Sequence, residues 1–276
     1  MTARALFVAG AGTEIGKTYL TAALTRHLRA DGRGVRALKP LASGVPPIDD
    51  PSFAQSDTAL LLAAQGLPIT AETVAACSPW RFLAPLAPDL AAAQEGRSLT
   101  LDALVAWCER QLAAAGFNKL SSNPPPHPEV RGEAESRRRR PEAAVLPGDL
   151  LRGRFAAPQD EGEFGMPGEK TVLIEGVGGL MSPVTPDATG LDWLERLRLP
   201  ALLVSGSYLG AISHALTAVE TLRAHAVPLV AVVVSQSEGA PVSPETVAEA
   251  IGRHAGAPVI VLRRGADCPD ALARLV

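Results

Sequence analysis

The sequence has few aromatic residues and little excess charge of either sign. Aromatic side chains make up 4% of its 276 residues, so we expect a core built mainly of Ala, Val, Leu and Ile, which suits helices packed on a parallel sheet. The 26 Lys and Arg nearly balance the 29 Asp and Glu, for a formal net charge of -3. This balance excludes a nucleic-acid binder that is held by bulk charge, and we expect no nucleic-acid partner.

Cysteines and long apolar runs are also scarce. The three cysteines, Cys77, Cys108 and Cys268, are far apart and have no metal-ligand spacing, so neither a disulfide framework nor a zinc site is indicated. No run of about eighteen apolar residues is present. Residues 1–11 predict a short strand that enters a glycine loop, without the features of an export signal. We therefore expect a cytoplasmic protein with no membrane partner.

Apolar segments alternate with segments of helical periodicity. Hydrophobic residues account for 47% of the chain, enough for one sizeable core. Strands are predicted at 5–9, 35–38, 171–174, 201–204 and 229–234, and helices at 17–30, 57–65, 101–115, 212–224 and 244–254. Strands that are apolar throughout and alternate with helices predict an α/β fold, with a parallel sheet covered by helices on both faces.

Residues 117–170 interrupt this alternation. The segment holds eight of the 24 prolines and seven arginines, four of them consecutive at 137–140, without sustained periodicity. Its nine acidic and nine basic residues cancel, which favours a solvated loop over a nucleic-acid or acidic-partner patch. We predict a single domain over residues 1–276 that carries this segment as a disordered, Pro/Arg-rich surface insert.

The clearest chemical motif is GAGTEIGKT at residues 10–18, hereafter the P-loop. It fits the pattern G-x-x-x-x-G-K-[ST] and lies between a predicted strand and a predicted helix, as the pattern requires. Its glycines allow backbone N–H groups to face phosphate oxygens, and the following helix start adds partial positive charge. Lys17 is expected to reach the β- and γ-phosphates of a nucleotide, and the Thr18 hydroxyl to coordinate Mg²⁺. The fold class predicted is thus a P-loop NTPase-type sheet.

Two charged residues are predicted at the carboxyl ends of other strands. Glu175 follows strand 171–174 and precedes glycines, where P-loop proteins place the carboxylate that holds magnesium directly or through water. Lys39 follows strand 35–38, at the edge where open parallel sheets bind ligands. Its position alone favours a solvated strand-end lysine over a second cation near the γ-phosphate.

Six short motifs together resemble those of the dethiobiotin synthetase family. In chain order they are GAGTEIGKT at 10–18, KPLASG at 39–44, SD at 56–57, AQEG at 93–96, IEGVGG at 174–179 and GAISH at 210–214. The resemblance covers about residues 5–116 and 171–235 in the family's order, and the segment 117–170 is foreign to it. Each motif except the P-loop is weak alone, but the combination is specific.

The resemblance implies an ATP-dependent cyclo-ligase that uses Mg²⁺. In its reaction, 7,8-diaminopelargonic acid and CO₂ give dethiobiotin, ADP and phosphate through a carbamate and a carbamic-phosphoric anhydride. The resemblance implies that the catalytic residues are Lys17, Lys39, Thr13 and Ser43, and that the magnesium ligands are Thr18, Asp57 and Glu175. The nucleotide contacts that it implies are Gly12, Thr13, Glu14, Ile15, Gly16, Lys17, Thr18, Glu175, Gly178 and Ser235.

The family also acts as a homodimer, in which a helix start of the partner chain holds the substrate carboxylate. The substrate contacts that this implies are Lys39, Ser43, Gly210, Ala211, Ile212 and Ser213. Free N–H groups at a helix start are suited to bind a carboxylate.

The sequence departs from the family in three places and leaves three alternatives open. One departure is the segment 262–276, which is short and unlike the adenine loop of the family. The family often has Asp where this chain has Gly12. In the family an Asn recognises adenine, and this chain has Ser235 or Gln236 at that place.

Two of the alternatives are other classes of P-loop protein. An amide ligase of the cobyrinic acid diamide synthase type would need a glutamine-hydrolysing domain. A partitioning-type switch ATPase would carry an additional lysine early in the P-loop. The third alternative is an insert-disabled homologue that binds nucleotide without turnover.

Overall fold

The computed structural model describes residues 4–117 and 170–276. The predicted insert lies outside the described residues except for its two end positions, so its disorder stays a prediction. In chain order, the described strands are β1 (Arg4–Gly10), β2 (Gly34–Leu38), β3 (Leu41–Ser43), β4 (Trp80–Phe82), β5 (Lys170–Glu175), β6 (Pro183–Thr185), β7 (Ala188–Thr189), β8 (Ala201–Ser205), β9 (Leu229–Ser235) and β10 (Val259–Leu262).

The described helices follow the same order. They are α1 (Lys17–Ala30), α2 (Asp57–Ala64), α3 (Ala71–Cys77), α4 (Pro88–Gln94), α5 (Leu101–Ala114), α6 (Gly190–Leu197), α7 (Ala211–Ala224), α8 (Pro244–Ala255) and α9 (Asp270–Ala273). Within residues 4–117 and 170–276, no helix combines the length and the apolar character needed to cross a membrane.

Six strands form a parallel sheet in the order β10-β9-β8-β1-β5-β2. The sheet contains strands from both sides of the segment 118–169, with β1 at its centre between β5 and β8. Successive residues of β1 face opposite layers: Phe7 packs with Trp193 of α6 on one side, and Val8 packs with Leu24 of α1 on the other. The predicted parallel sheet with helices on both faces is therefore confirmed.

Each predicted strand and helix is present, and its bounds differ from the prediction by at most one residue at either end. The elements that the sequence analysis missed are short. The predicted loop after β2 contains β3 and a 3-10 turn at Pro51–Gln55, and the sheet has a further edge strand, β10. Elements of two to eight residues contain too few turns or alternations to give a clear periodic signal.

Parallel strands bring the loops at their carboxyl ends to one edge of the sheet. The P-loop follows β1, Lys39 follows β2, Glu175 ends β5, and the segment 206–210 connects β8 to α7. Because β5 and β8 are the two neighbours of β1, the segments that follow all three strands lie side by side. This edge contains the candidate site.

Candidate active site

The P-loop has the backbone geometry of a phosphate cradle. Gly16, which precedes α1, has φ 90°, and Glu14 has φ 56°, a left-handed conformation that is uncommon outside glycine. A Cβ on Gly10 would lie 2.8 Å from the carbonyl oxygen of Gly178 and 2.9 Å from that of Gly12. The backbone therefore closes on itself here, and any side chain at position 10 would force it apart. Because α1 begins without a side-chain cap, its first N–H groups remain available to an anion.

Lys17 is buried at the base of this loop. Its Nζ donates a hydrogen bond of 2.9 Å to the carbonyl oxygen of Gly12. Burial, followed by repulsion from Lys39, lowers the pKa of Lys17 to about 8, although Glu175 and Asp57 act in the opposite direction. A bound anion would favour the charged form and raise the pKa again.

Glu175 links the P-loop helix to the strand end that carries Lys39. Its side chain is completely buried, and Oε1 accepts hydrogen bonds from Thr18 Oγ1 at 2.6 Å and from Lys39 Nζ at 2.7 Å. Lys39 Nζ also lies 2.5 Å from Oδ2 of Asp57, which is partly exposed. Two of the three predicted magnesium ligands therefore contact each other, and Lys39 bridges to the third.

Lys39 is a buried member of this cluster rather than the solvated strand-end lysine that its position alone favoured. Burial opposes its charge, but the two carboxylates outweigh that effect and raise the pKa of Lys39 above its usual value. Burial likewise opposes ionisation of Asp57, yet the charge and hydrogen bond of Lys39 lower the pKa of Asp57 below its usual value. The arrangement thus keeps both partners charged near neutral pH.

The donor atoms of the cluster fit a magnesium ion. Oε2 of Glu175 is buried and has no hydrogen-bond partner among the described residues, so a carboxylate oxygen is left for a cation. Thr18 and Asp57 add a hydroxyl and a second carboxylate, both oxygen ligands of the kind that Mg²⁺ prefers. The parts of the chain that the structure describes hold no group of three or more His, Cys, Asp or Glu suited to a metal. A Mg²⁺ held here would complete its coordination with water and substrate phosphates, as this ion usually does.

The other residues predicted to bind nucleotide lie in two different environments. Thr13 is exposed at the top of the loop, and its Oγ1 is 3.6 Å from the point that a Cβ on Gly178 would occupy. Ile15 is buried in the core beneath α1, and Ser235 packs its buried hydroxyl against Gly16 from behind the loop. Thr13 and Gly178 therefore border the cradle, whereas Ile15 and Ser235 support it from the interior.

Ser43 lies half-buried at the end of β3, which pairs with β4 outside the six-stranded sheet. It is four residues beyond Lys39, on the segment that continues from β2 past the cluster. Among the described residues, the hydrogen bonds and ion pairs of the carboxylate cluster join Thr18, Lys39, Asp57 and Glu175 and do not include Ser43, so its role stays a prediction.

The predicted carboxylate-binding segment starts α7. Gly210 precedes the helix with φ 96° and provides no side-chain cap, so the first N–H groups of α7 remain available for hydrogen bonds. Leu209 is 87% exposed, and Ile212 is also exposed. An open groove of about 1000 Å³ runs along this helix, and its lining includes Ser213 and Leu216. The segment is therefore an accessible helix start beside an apolar helix face.

One contact between functional segments has no counterpart in the sequence analysis. The Tyr208 hydroxyl forms a hydrogen bond of 2.8 Å with His214 Nδ1 and lies 3.5 Å from the point that a Cβ on Gly12 would occupy. Tyr208 lies in the loop before α7 and His214 lies within the helix, so no single periodicity relates the two residues and no sequence pattern indicated this pair.

Comparisons with known proteins agree on one family. A family model described as an AAA domain matches residues 4–119 and 166–261, on both sides of the predicted insert. The ATP-dependent dethiobiotin synthetase of Methylobacterium nodulans is 61% identical to this chain over 96% of the chain and 95% of the relative. The enzymes of the same name from Acidiphilium cryptum and Phenylobacterium zucineum are 36% and 40% identical, over 96% and 91% of this chain and 93% and 84% of their own lengths.

Proposed function

The chain belongs to the ATP-dependent dethiobiotin synthetase family, and from this premise we propose which residues carry each part of its reaction. The enzyme is a ligase of biotin biosynthesis that uses ATP, with Mg²⁺ as the metal. In the proposed route, an amine of 7,8-diaminopelargonic acid adds to CO₂ and loses a proton to form a carbamate. A carbamate oxygen then attacks the γ-phosphorus of ATP and releases ADP. The second amine attacks the carbamate carbon, loses a proton and expels phosphate as the ring closes.

The observation that carries the assignment is the buried Glu175 carboxylate, whose Oε2 has no hydrogen-bond partner within residues 4–117 and 170–276. It lies against the Thr18 hydroxyl at the end of the P-loop. Magnesium, when bound, supplies positive charge to the ATP phosphates and orients them. In the proposal, Thr18, Asp57 and Glu175 hold this ion. Leaving a carboxylate oxygen buried without a partner costs free energy, and a cation ligand would offset that cost.

Lys17 and Lys39 provide the positive charge on the two sides of the transferring phosphoryl group. Lys17 is tied to the Gly12 carbonyl at the base of the loop, so its ammonium group is already placed when the phosphates arrive. Lys39 is fixed by two carboxylates and retains one of its three N–H donors for the carbamate or the γ-phosphate. Charges that are positioned before the reaction stabilise the developing anion without reorganisation. Thr13 and Ser43 are proposed to contact phosphate, carbamate or substrate amines.

The proposed enzyme is a homodimer in which the start of α7 binds the substrate carboxylate in the partner's site. The support for this proposal is the uncapped helix start at Gly210 and the mainly apolar groove beside it, which Ile212 lines. Leu209, which comes just before the helix start, is 87% exposed. An exposed apolar face of this kind is typical of an interface. Ile212→Asp is expected to convert a dimer into a monomer in sedimentation analysis.

The cytoplasmic location stays a prediction, and the three free cysteines are in keeping with it.

The Mg²⁺ dependence of ADP release tests the assignment of Glu175. Glu175→Gln retains a carbonyl oxygen but removes the charge, so we expect the half-saturating Mg²⁺ concentration to rise at least about tenfold. Glu195→Gln is the matched control, because Glu195 lies on α6 and pairs with His225 at the surface; this variant should leave the Mg²⁺ dependence unchanged. If Glu175→Gln folds normally and has the wild-type Mg²⁺ dependence, the proposed metal site is wrong.

A further inference from the structure

Tyr208 lies between the two segments that are proposed to bind different substrates. Its ring packs against the apolar layer that contains β1, β8 and α1, and its hydroxyl lies over Gly12 of the P-loop. The same hydroxyl is hydrogen-bonded to His214 in the first turn of α7, with the two ring centroids 5.7 Å apart. The tyrosine is therefore hydrogen-bonded to the first turn of α7, and its hydroxyl faces the side of Gly12 where a side chain would stand.

The sheet places these two segments side by side. Strands β1 and β8 are neighbours, with Gly10 opposite Val204, so the segments that follow them leave the sheet together. Gly12 has no side chain of its own, and the Tyr208 hydroxyl lies 3.5 Å from the point that its Cβ would occupy. A movement of the P-loop toward this point would bring its backbone against the Tyr208 hydroxyl.

His214 extends this contact into α7. Its backbone N–H donates to the Gly210 carbonyl, which closes the first turn of the helix. The side chain that holds Tyr208 therefore belongs to the same turn that presents the free N–H groups. A displacement of Tyr208 would therefore act, through this hydrogen bond, on the turn that is proposed to hold the substrate carboxylate.

We propose that Tyr208 and His214 are positioning residues that couple nucleotide binding at the P-loop to binding of the amino-acid substrate at the start of α7. The inference rests on the proposed function, since it takes the two binding segments from it. If α7 of one protomer binds the substrate carboxylate in its partner's site, nucleotide bound to the first protomer affects binding of the acid in the partner's site. By thermodynamic linkage, each ligand strengthens binding of the other by the same factor.

Calorimetric titration of 7,8-diaminopelargonic acid, with and without a saturating non-hydrolysable ATP analogue and Mg²⁺, measures this coupling. In the wild type we expect the analogue to tighten binding of the acid at least about fivefold. Tyr208→Phe keeps the ring and removes the hydroxyl, so the coupling factor should fall about two- to fivefold, as the loss of one hydrogen bond at a partly exposed site would give. Each ligand alone should bind within about twofold of its wild-type affinity, since neither touches this hydroxyl directly in the proposal.

Two further variants separate coupling from folding. Tyr19→Phe is the matched control, because the Tyr19 hydroxyl donates to carbonyls of the C-terminal segment and not to the P-loop; its coupling factor should equal that of the wild type. His214→Phe should reduce the coupling as much as Tyr208→Phe, and the double variant should add no further loss, because both substitutions remove one bond.

The outcomes distinguish the inference from the proposed function. If the wild type fails to bind the acid or the nucleotide analogue, the proposed function is wrong and the inference falls with it. If both ligands bind but independently, or if Tyr208→Phe retains the wild-type coupling factor, the proposed function stands and the coupling role of Tyr208 is refuted. Additive losses in the double variant would likewise refute the pairing with His214.

Discussion

Replacing Lys39 by Met should destabilise the protein through the charges that it leaves behind. Lys39 is 4% exposed and lies 2.7 Å from Glu175 Oε1 and 2.5 Å from Asp57 Oδ2. Methionine keeps the apolar length of the side chain but cannot donate a hydrogen bond or carry a charge. Glu175, which is completely buried, would keep only the hydrogen bond from Thr18.

The magnitude follows from the burial of the two carboxylates. Removing one partner of a buried ion pair costs about 3–5 kcal/mol, because the other charge stays buried without compensation. Asp57 is partly exposed and can bind water, and Glu175 keeps one hydrogen bond, so we expect the lower end, about 3 kcal/mol. At about 2–4 °C per kcal/mol for a domain of this size, the melting temperature should fall by about 6–12 °C.

Differential scanning calorimetry of single and double variants measures this effect. Adding Glu175→Gln to Lys39→Met removes the stranded charge, so the double variant should melt above Lys39→Met. The control is Arg196→Met, which deletes a cation from an exposed pair with Asp102 and should cost less than about 1 kcal/mol. A Lys39→Met protein that melts within about 2 °C of the wild type, or a double variant less stable than Lys39→Met, would show that Lys39 does not offset the buried charge of Glu175.

Two further predictions concern close packing. Gly10→Ala should abolish nucleotide binding in a filter or fluorescence assay, because its Cβ would lie 2.8 Å from a carbonyl oxygen of the neighbouring loop. Gly34→Ala is the control and should bind nucleotide as the wild type does, because its Cβ would lie 3.8 Å from Lys170 Cγ, an ordinary contact. Equal binding by both variants would show that the P-loop tolerates a side chain at position 10. Burial raises the pKa of Cys108 and of Cys268 to about 12, so at pH 8 these thiols carry almost no thiolate. Together with Cys77, they should resist a thiol-specific reagent in the native protein and react fully after unfolding in guanidinium, and fast native labelling would show that the thiols are accessible.

The sequence predicts the main strands and helices well because they have strong signals. The apolar runs of β1, β5, β8 and β9 and the periodicity of α1 and α5 place their bounds to within one residue. Short elements such as β3, α3 and α9 depend on tertiary contacts rather than periodicity, and the sequence analysis did not find them.

The site could be predicted only in part. The P-loop pattern and the strand-end position locate Lys17, Thr18 and Glu175 at one edge of the sheet, because parallel topology fixes where strand ends meet. The sequence could not show that Lys39 is buried between two carboxylates, since Glu175 is 136 residues away along the chain. Nor could it show that Tyr208 lies over Gly12. Both contacts depend on how neighbouring loops pack at the sheet edge.

The substrate dependence of ADP and dethiobiotin formation tests whether this site carries out the dethiobiotin synthetase reaction. MgATP, 7,8-diaminopelargonic acid and bicarbonate are supplied together and then with each omitted in turn, using the wild type and Lys17→Ala. We expect ADP and dethiobiotin to form in equal amounts only when all the substrates are present, and neither to form with Lys17→Ala. ADP release that is indifferent to the acid and to bicarbonate would indicate a switch ATPase, and nucleotide binding without ADP release would indicate an inactive homologue; either result would contradict the account.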